Sequence, residues 1–202
     1  MISKEREYRN FKIEVRQAEE GEESYKVRGY ASTFDPYVLW EGDDGVQYSE
    51  KVDPDAYRDA DLSDVIFLYN HEGMVYARNK NNTMTLSVDE HGLLVEADLS
   101  STEQSRQLYE AIKTGLVDQM SIGFTVAEDG YDRDTHTRTI LRFRKLYDVS
   151  AVSIPANPGT DIAAVSARDY FHGVMEAEKA ERLEEQRQLD VAKAKFHYYG
   201  GR

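Results

Sequence analysis

Apolar and polar positions alternate with a spacing of two through much of the first 165 residues of the chain. The alternation groups Phe11, Ile13 and Val15, then Tyr25, Val27, Gly29 and Ala31, then Met84, Leu86 and Val88, then Leu93, Val95, Ala97 and Leu99. Each group predicts a strand with one buried face. Val65 to Tyr69 is instead a continuous apolar run, short enough for a central strand covered on both sides, and it stops at the polar group Asn70-His71-Glu72-Gly73. Two further strands are predicted over 121–126 and 139–143, and the turn-rich stretch DGYDRDTHT between them predicts a hairpin.

Helical spacing appears twice. Ser101 stands ahead of Gln104 in the manner of a capping box, Leu108, Ala111 and Ile112 share a face, and Gly115 supplies a stop. This helix would hand the chain directly to Met120 and Ser121. After the PANPG stretch come about thirty residues rich in Ala, Glu, Lys, Arg and Gln, with Ser166 and Asp169 spaced as a second cap. Glu178 with Arg182, and Glu184 with Arg187, stand at helical pair spacing beside a thin apolar stripe of Val174, Ala177, Ala180 and Leu183. No internal repeat is present. The pattern predicts a mainly β, α+β fold: about seven short strands in a barrel or sandwich flanked by helices over 1–165, then a charged helical tail over 166–202. Pattern alone leaves barrel and sandwich open.

Composition narrows the function classes. A length of 202 residues suits one domain with an appendage. The absence of cysteine removes disulfides, thiolate metal sites and cysteine-protease chemistry, and fits a reducing cytoplasm. There is no apolar run long enough to span a membrane, and the charged start MISKEREYRN is unlike a signal peptide, so a soluble, unexported protein is expected. Lys and Arg number 25 against 38 Asp and Glu, a net charge of -13, which argues against a broad nucleic-acid footprint. Residues 166–202 hold 7 basic and 7 acidic residues, so the whole acidic excess lies before them. Solubility is a sufficient account of it.

Most of the familiar catalytic and ligand-binding motifs are missing from the chain. No G-x-S-x-G, Walker loop or dinucleotide fingerprint occurs. His71-Glu72 begins like a zincin helix, but Val75 stands where the second histidine belongs. EGDD and DRD lack the ligand pattern of a calcium loop and read as solvated turns. What remains is LYNHE around His71, MSIGF around Ser121 and LYDVSAVSIPANP around Asp148. Acyl transfer by a serine requires a base to take its proton and a third group to hold that base, and these three residues supply such a set. On pattern alone, an ordinary strand-end histidine and one unremarkable serine among thirteen are the simpler account. Asp148 also reads as a partner for Arg142 or Arg144. The residues by themselves lead to a soluble β-rich domain with hydrolysis as one option.

Four segments, taken in order, change that reading. They are G-Y-A-S-T-F-D at Gly29 to Asp35, the apolar strand ending N-H-E, G-L-V-D-Q-M-S-I-G-F at Gly115 to Phe124, and D-V-S-A-V-S-I-P-A-N-P from Asp148. Together they span Gly29 to about Ile162, roughly two-thirds of the chain, and resemble the prohead (capsid-maturation) serine proteases of tailed phages. The resemblance implies a fold shared with herpesvirus assemblins, a β-barrel surrounded by helices, with the chain order histidine, serine, third member. His71, Ser121 and Asp148 follow that order as base, nucleophile and orienting group. Two departures stand out. The family commonly has glutamate at the position of Asp148, and the arginine pair that assemblins carry after the third member is missing from SIPANPGTD. Oxyanion donors would then be backbone amides near Ser121 or over 155–159.

The expected function is a serine endopeptidase that cuts scaffold, or the scaffold-like part of the capsid protein, and itself. It would act inside the assembling prohead in the host cytoplasm. The resemblance implies no cofactor and no metal, substrates rather than nucleic acid or membrane as partners, and leaves a homodimer as an option. The alternative is a non-catalytic scaffold or internal head morphogenesis protein with the same barrel. Such a protein would have no chemical reason to keep both His71 and Ser121.

Overall fold

The alternating stretches become two sheets. The computed structural model describes residues 6–15, 24–42, 45–153 and 162–199. Among these, the strands are β1 (Glu7–Lys12), β2 (Glu14–Val15), β3 (Lys26–Thr33), β4 (Tyr37–Glu41), β5 (Gln47–Val52), β6 (Ile66–Tyr69), β7 (Glu72–Arg78), β8 (Met84–Val88), β9 (Gly92–Asp98), β10 (Gln119–Asp132) and β11 (Thr137–Val152). The helices are α1 (Glu103–Lys113) and α2 (Ile162–Tyr199). The chain is mainly β, as expected. The smaller sheet has the order β2-β3-β9-β8 and is antiparallel throughout. The larger runs β1-β10-β11-β5-β4, with β6 on the far half of β11 and β7 on β6.

The length of β11 explains that arrangement. It pairs in parallel with β5 over Thr137–Ile140 and again in parallel with β6 over Asp148–Ala151, so two short strands share one edge of a long one. Val27, Ala31, Leu93, Val95 and Ala97 of the small sheet and Ile122, Phe124, Ile140 and Val149 of the large one are buried in a common core. Burying each Val, Leu, Ile or Phe among them contributes about 1.5–3 kcal/mol.

Several local expectations are corrected. The β10–β11 hairpin is far longer than 121–126 and 139–143, and its turn is confined to 133–136, where the Asp132 Oδ1 accepts the amides of Asp134 and Thr135. Asp129, Gly130 and Tyr131, which suggested an early turn, are instead paired in the ladder and partly buried. Arg138 is fully buried and donates to Asp129 at 2.8 Å, to both Glu7 oxygens and to Glu50 at 3.1 Å. Arg9 grips both oxygens of Glu50 at 2.6 Å, and the Tyr37 hydroxyl donates to the same carboxylate at 2.6 Å. Burial alone would raise the Glu50 carboxyl. Arg9 and Arg138 outweigh it and hold the group below its ordinary value. Burial, and then the neighbouring Glu50 charge, push the Tyr37 hydroxyl well up.

The cap of α1 is Thr102, whose side chain accepts the Ser105 amide, and not Ser101. Its end is as expected: Gly115 has φ +74, its amide bonds Ile112 and that of Leu116 bonds Ala111, a Schellman closure that glycine adopts without strain. The second helix starts at Ile162, so Ser166 lies within it and does not cap it. Ile154 and the loop 155–159 lie outside the described residues. Closure of the sheets into a barrel is not seen among the described residues. The chain divides into two compact units between Ala167 and Arg168. Within the second unit, Leu183, Leu189 and Val191 are exposed along the helix. No helix among the described residues is long and apolar enough to cross a membrane.

Candidate active site

Strand register places the polar residues. Ser121 and Gly123 lie two apart on β10 and so share a face. Across the ladder, Ser150 stands opposite Ser121 and Asp148 opposite Gly123. On the next strand, Ile66 is beside Asp148 and Leu68 beside Ser150. The chain then turns back immediately. Tyr69 pairs with Glu72, so Asn70 and His71 form the whole loop of the β6–β7 hairpin, with φ of 51 and 61. A two-residue loop of this kind demands left-handed backbone at both positions, which asparagine and histidine tolerate better than most residues. Asn70 ties the loop to β11: its amide donates to the Ala151 carbonyl at 2.9 Å and its Oδ1 accepts the Ser153 amide at 3.2 Å. Asp148 is on that same strand, so the turn carrying His71 is anchored to the strand carrying its partner.

All three residues singled out by sequence come together. His71 Nε2 is 2.8 Å from Ser121 Oγ, and Nδ1 is 2.5 Å from Asp148 Oδ1. A carboxylate only accepts, so Nδ1 carries the proton and Nε2 presents its lone pair to the Ser121 hydroxyl. Asp148 and Ser121 are each 1% exposed, while the His71 side chain keeps 11%. The Tyr8 ring meets the imidazole edge to face at 4.5 Å between centroids. Arg6, stacked over Tyr147 at 4.0 Å, reaches Asp148 Oδ2 at 3.5 Å. Arg142, one of the partners that the sequence allowed for Asp148, pairs with Glu128 at 2.6 Å.

Sequence reasoning missed three contributors. Ser150 bonds both Asp148 and His71, and Arg6 and Tyr8 approach from β1 and the residue before it. Gly123 is the fourth feature, and its reason is space. A Cβ built there would meet Asp148 Oδ2 at 2.5 Å, Tyr8 at 3.1 Å and Arg6 at 3.2 Å. The glycine of S-I-G-F was in plain view, but its partner across the ladder was not. No group of three metal-ligating side chains occurs among the described residues.

The model of the caudovirus prohead serine protease family matches residues 11–175. The chain belongs to this family. Among curated members of the prohead protease group, it is 30% identical over 115 residues to the prohead protease of Enterobacteria phage HK97, covering 56% of this chain and 50% of that protein. It is 28% identical over 96 residues to the prohead protease of Escherichia phage T5, covering 48% of this chain and 43% of that one. The chain thus spans about half the length of the curated relatives it matches. No solved structure matches it. For a prohead serine protease family member, residues 6–10 are notable: they lie outside the matched segment, yet Arg6 and Tyr8 touch the site.

Proposed function

We propose that this chain is a serine endopeptidase with Ser121 as nucleophile, His71 as base and Asp148 as orienting group. One observation carries the reading: the imidazole bridges Ser121 and Asp148 through its two nitrogens at 2.8 and 2.5 Å. In the first step Ser121 Oγ bonds the scissile carbonyl carbon while its proton passes to Nε2. The imidazolium that results is stabilised by Asp148 and gives the proton to the leaving amine. Water then repeats the sequence on the acyl-enzyme, with His71 again as base. Ser121 is 1% exposed, so a substrate reaches it only as its surroundings open.

The substrates are scaffold or the scaffold-like segment of the capsid protein, together with the chain itself, and the place of action is the assembling prohead in the host. Support comes from the family match and from the naming of both relatives as prohead proteases. The two sheets are read as an assemblin-type barrel, in keeping with the order histidine, serine, third member. Residues 166–202 are read as a separate docking tail. Its balanced charge and exposed Leu183 and Leu189 suit a helical scaffold partner.

The test is co-expression with capsid and scaffold proteins. Wild type should process them, and Ser121→Ala should leave them intact while folding normally. Processing by the purified Ser121→Ala chain would show that another group is the nucleophile.

A further inference from the structure

His71 faces a second serine. Ser150 lies directly opposite Ser121 in the β10–β11 ladder, and its Oγ is 3.1 Å from Nδ1 and 2.9 Å from Asp148 Oδ1. The imidazole therefore spans the two cross-strand serines, one at each nitrogen. Ser150 donates its single proton to Asp148, so its lone pair is what faces Nδ1–H. It is fully buried, between Val149 and Ala151, which are themselves fully buried. A small apolar residue would fit such a strand, and a buried hydroxyl costs free energy unless it is bonded. Here both of its bonds go to the site.

The carboxylate of Asp148 is drawn two ways. Oδ1 receives Nδ1–H and the Ser150 hydroxyl, while Oδ2 looks toward Arg6 at 3.5 Å. The last torsion of an aspartate is broad, so a carboxylate held by one donor swings where a carboxylate held by two does not. If it swung toward Arg6, Nδ1–H would lose its acceptor. The imidazole could then carry its proton on Nε2, and a base protonated there cannot take one from Ser121.

We propose that Ser150 is a positioning residue that locks Asp148 Oδ1 onto the Nδ1–H of His71 and so keeps Nε2 free to accept the Ser121 proton. This rests on the reading of Ser121 as nucleophile. The experiment follows phosphonylation of the full chain by a fluorophosphonate, with the modified peptide mapped by mass spectrometry. In that step Ser121 Oγ forms a bond to phosphorus, fluoride leaves, and the hydroxyl proton passes to His71. Ser150→Ala should slow labelling of Ser121 by about 10- to 100-fold, as expected for losing a hydrogen bond to a charged group. Ser150→Thr, which keeps the oxygen, should recover most of the rate. In an Asp148→Asn background, Ser150→Ala should change the rate by less than about twofold, because its effect passes through Asp148. Wild-type labelling by Ser150→Ala overturns the proposal, and so does an equal loss in both backgrounds. Labelling on Ser150, or at full rate in Ser121→Ala, overturns instead the nucleophile assignment on which it stands.

Discussion

Strand β1 and the residue before it send alternate side chains to two polar clusters. Glu7 and Arg9 enter a buried network with Glu50, Asp129, Arg138 and Tyr37, while Arg6 and Tyr8 point to the proposed triad. The residue types overlap, but the rules differ. In the network the ions are permanent: two guanidiniums face three carboxylates, and Glu50 and Arg138 are fully buried. Arg9 is held above its already high value because Glu50 and Glu7 outweigh the burial that would lower it. In the proposed triad a new positive charge would arise only as a proton leaves Ser121, and a slightly exposed histidine would receive it. The network should therefore govern stability and the triad should govern rate. Charge that is always present can be satisfied once during folding, whereas charge that comes and goes needs a partner held ready.

The sharpest separation comes from Asp148→Asn, which should lower the cleavage rate by about 10⁴-fold through the wrong imidazole tautomer. Its melting temperature should stay near that of the parent, since the amide can fill the same space. A rate within a few-fold of the parent, measured on co-expressed substrate, would place the orienting group elsewhere. The converse change is Glu50→Gln, which takes from Arg9 the carboxylate it grips through two bonds and leaves it only Glu7, shared with Arg138. It should cost about 3–5 kcal/mol in urea unfolding while the molecules that remain folded keep their activity. Unaltered stability would mean that the network contributes nothing net.

Acid should act on the same cluster. The folded-state carboxyl of Glu50 is depressed, so its contribution is present above its unfolded pKa and is lost as pH falls through the lower folded value. Melting temperature should drop below about pH 4.3, and the drop should be smaller in Glu50→Gln. Gly123→Ala tests how tightly the triad is packed. Its Cβ would displace Asp148 Oδ2, and a rate loss of about 100-fold is expected from misplacing the site by an ångström. The smallest effect should come from Arg142→Ala. Its pair with Glu128 is about half exposed on both sides, and unfolding should shift by no more than about 0.5 kcal/mol.

Much of the fold was legible because period-two burial is written locally. Val27 and Ala31, or Leu93, Val95 and Ala97, announce a strand whatever the rest of the chain does. The end of α1 at Gly115 is equally local. Strands β4, β5 and β7 were missed because their burial is irregular or partnered by charge: Glu50 is fully buried, whereas Glu72 to Val75 are exposed. The long hairpin was underestimated for the same reason, since Asp129 looks like a turn residue until the buried Arg138 is seen beside it.

At the site, the residue types of His71, Ser121 and Asp148 and their order along the chain were properties of the sequence alone, and so was the family resemblance carried by the segments around them. That the three touch was decided by tertiary structure, because their contacts bridge 50 and 77 residues and depend on the register of β10, β11 and β6. The same register brought in Ser150, Arg6 and the close packing of Asp148 over Gly123. None of these has a signature of its own, since a buried serine, an arginine near the start and a glycine in a strand each acquire meaning only from the atom that lies opposite.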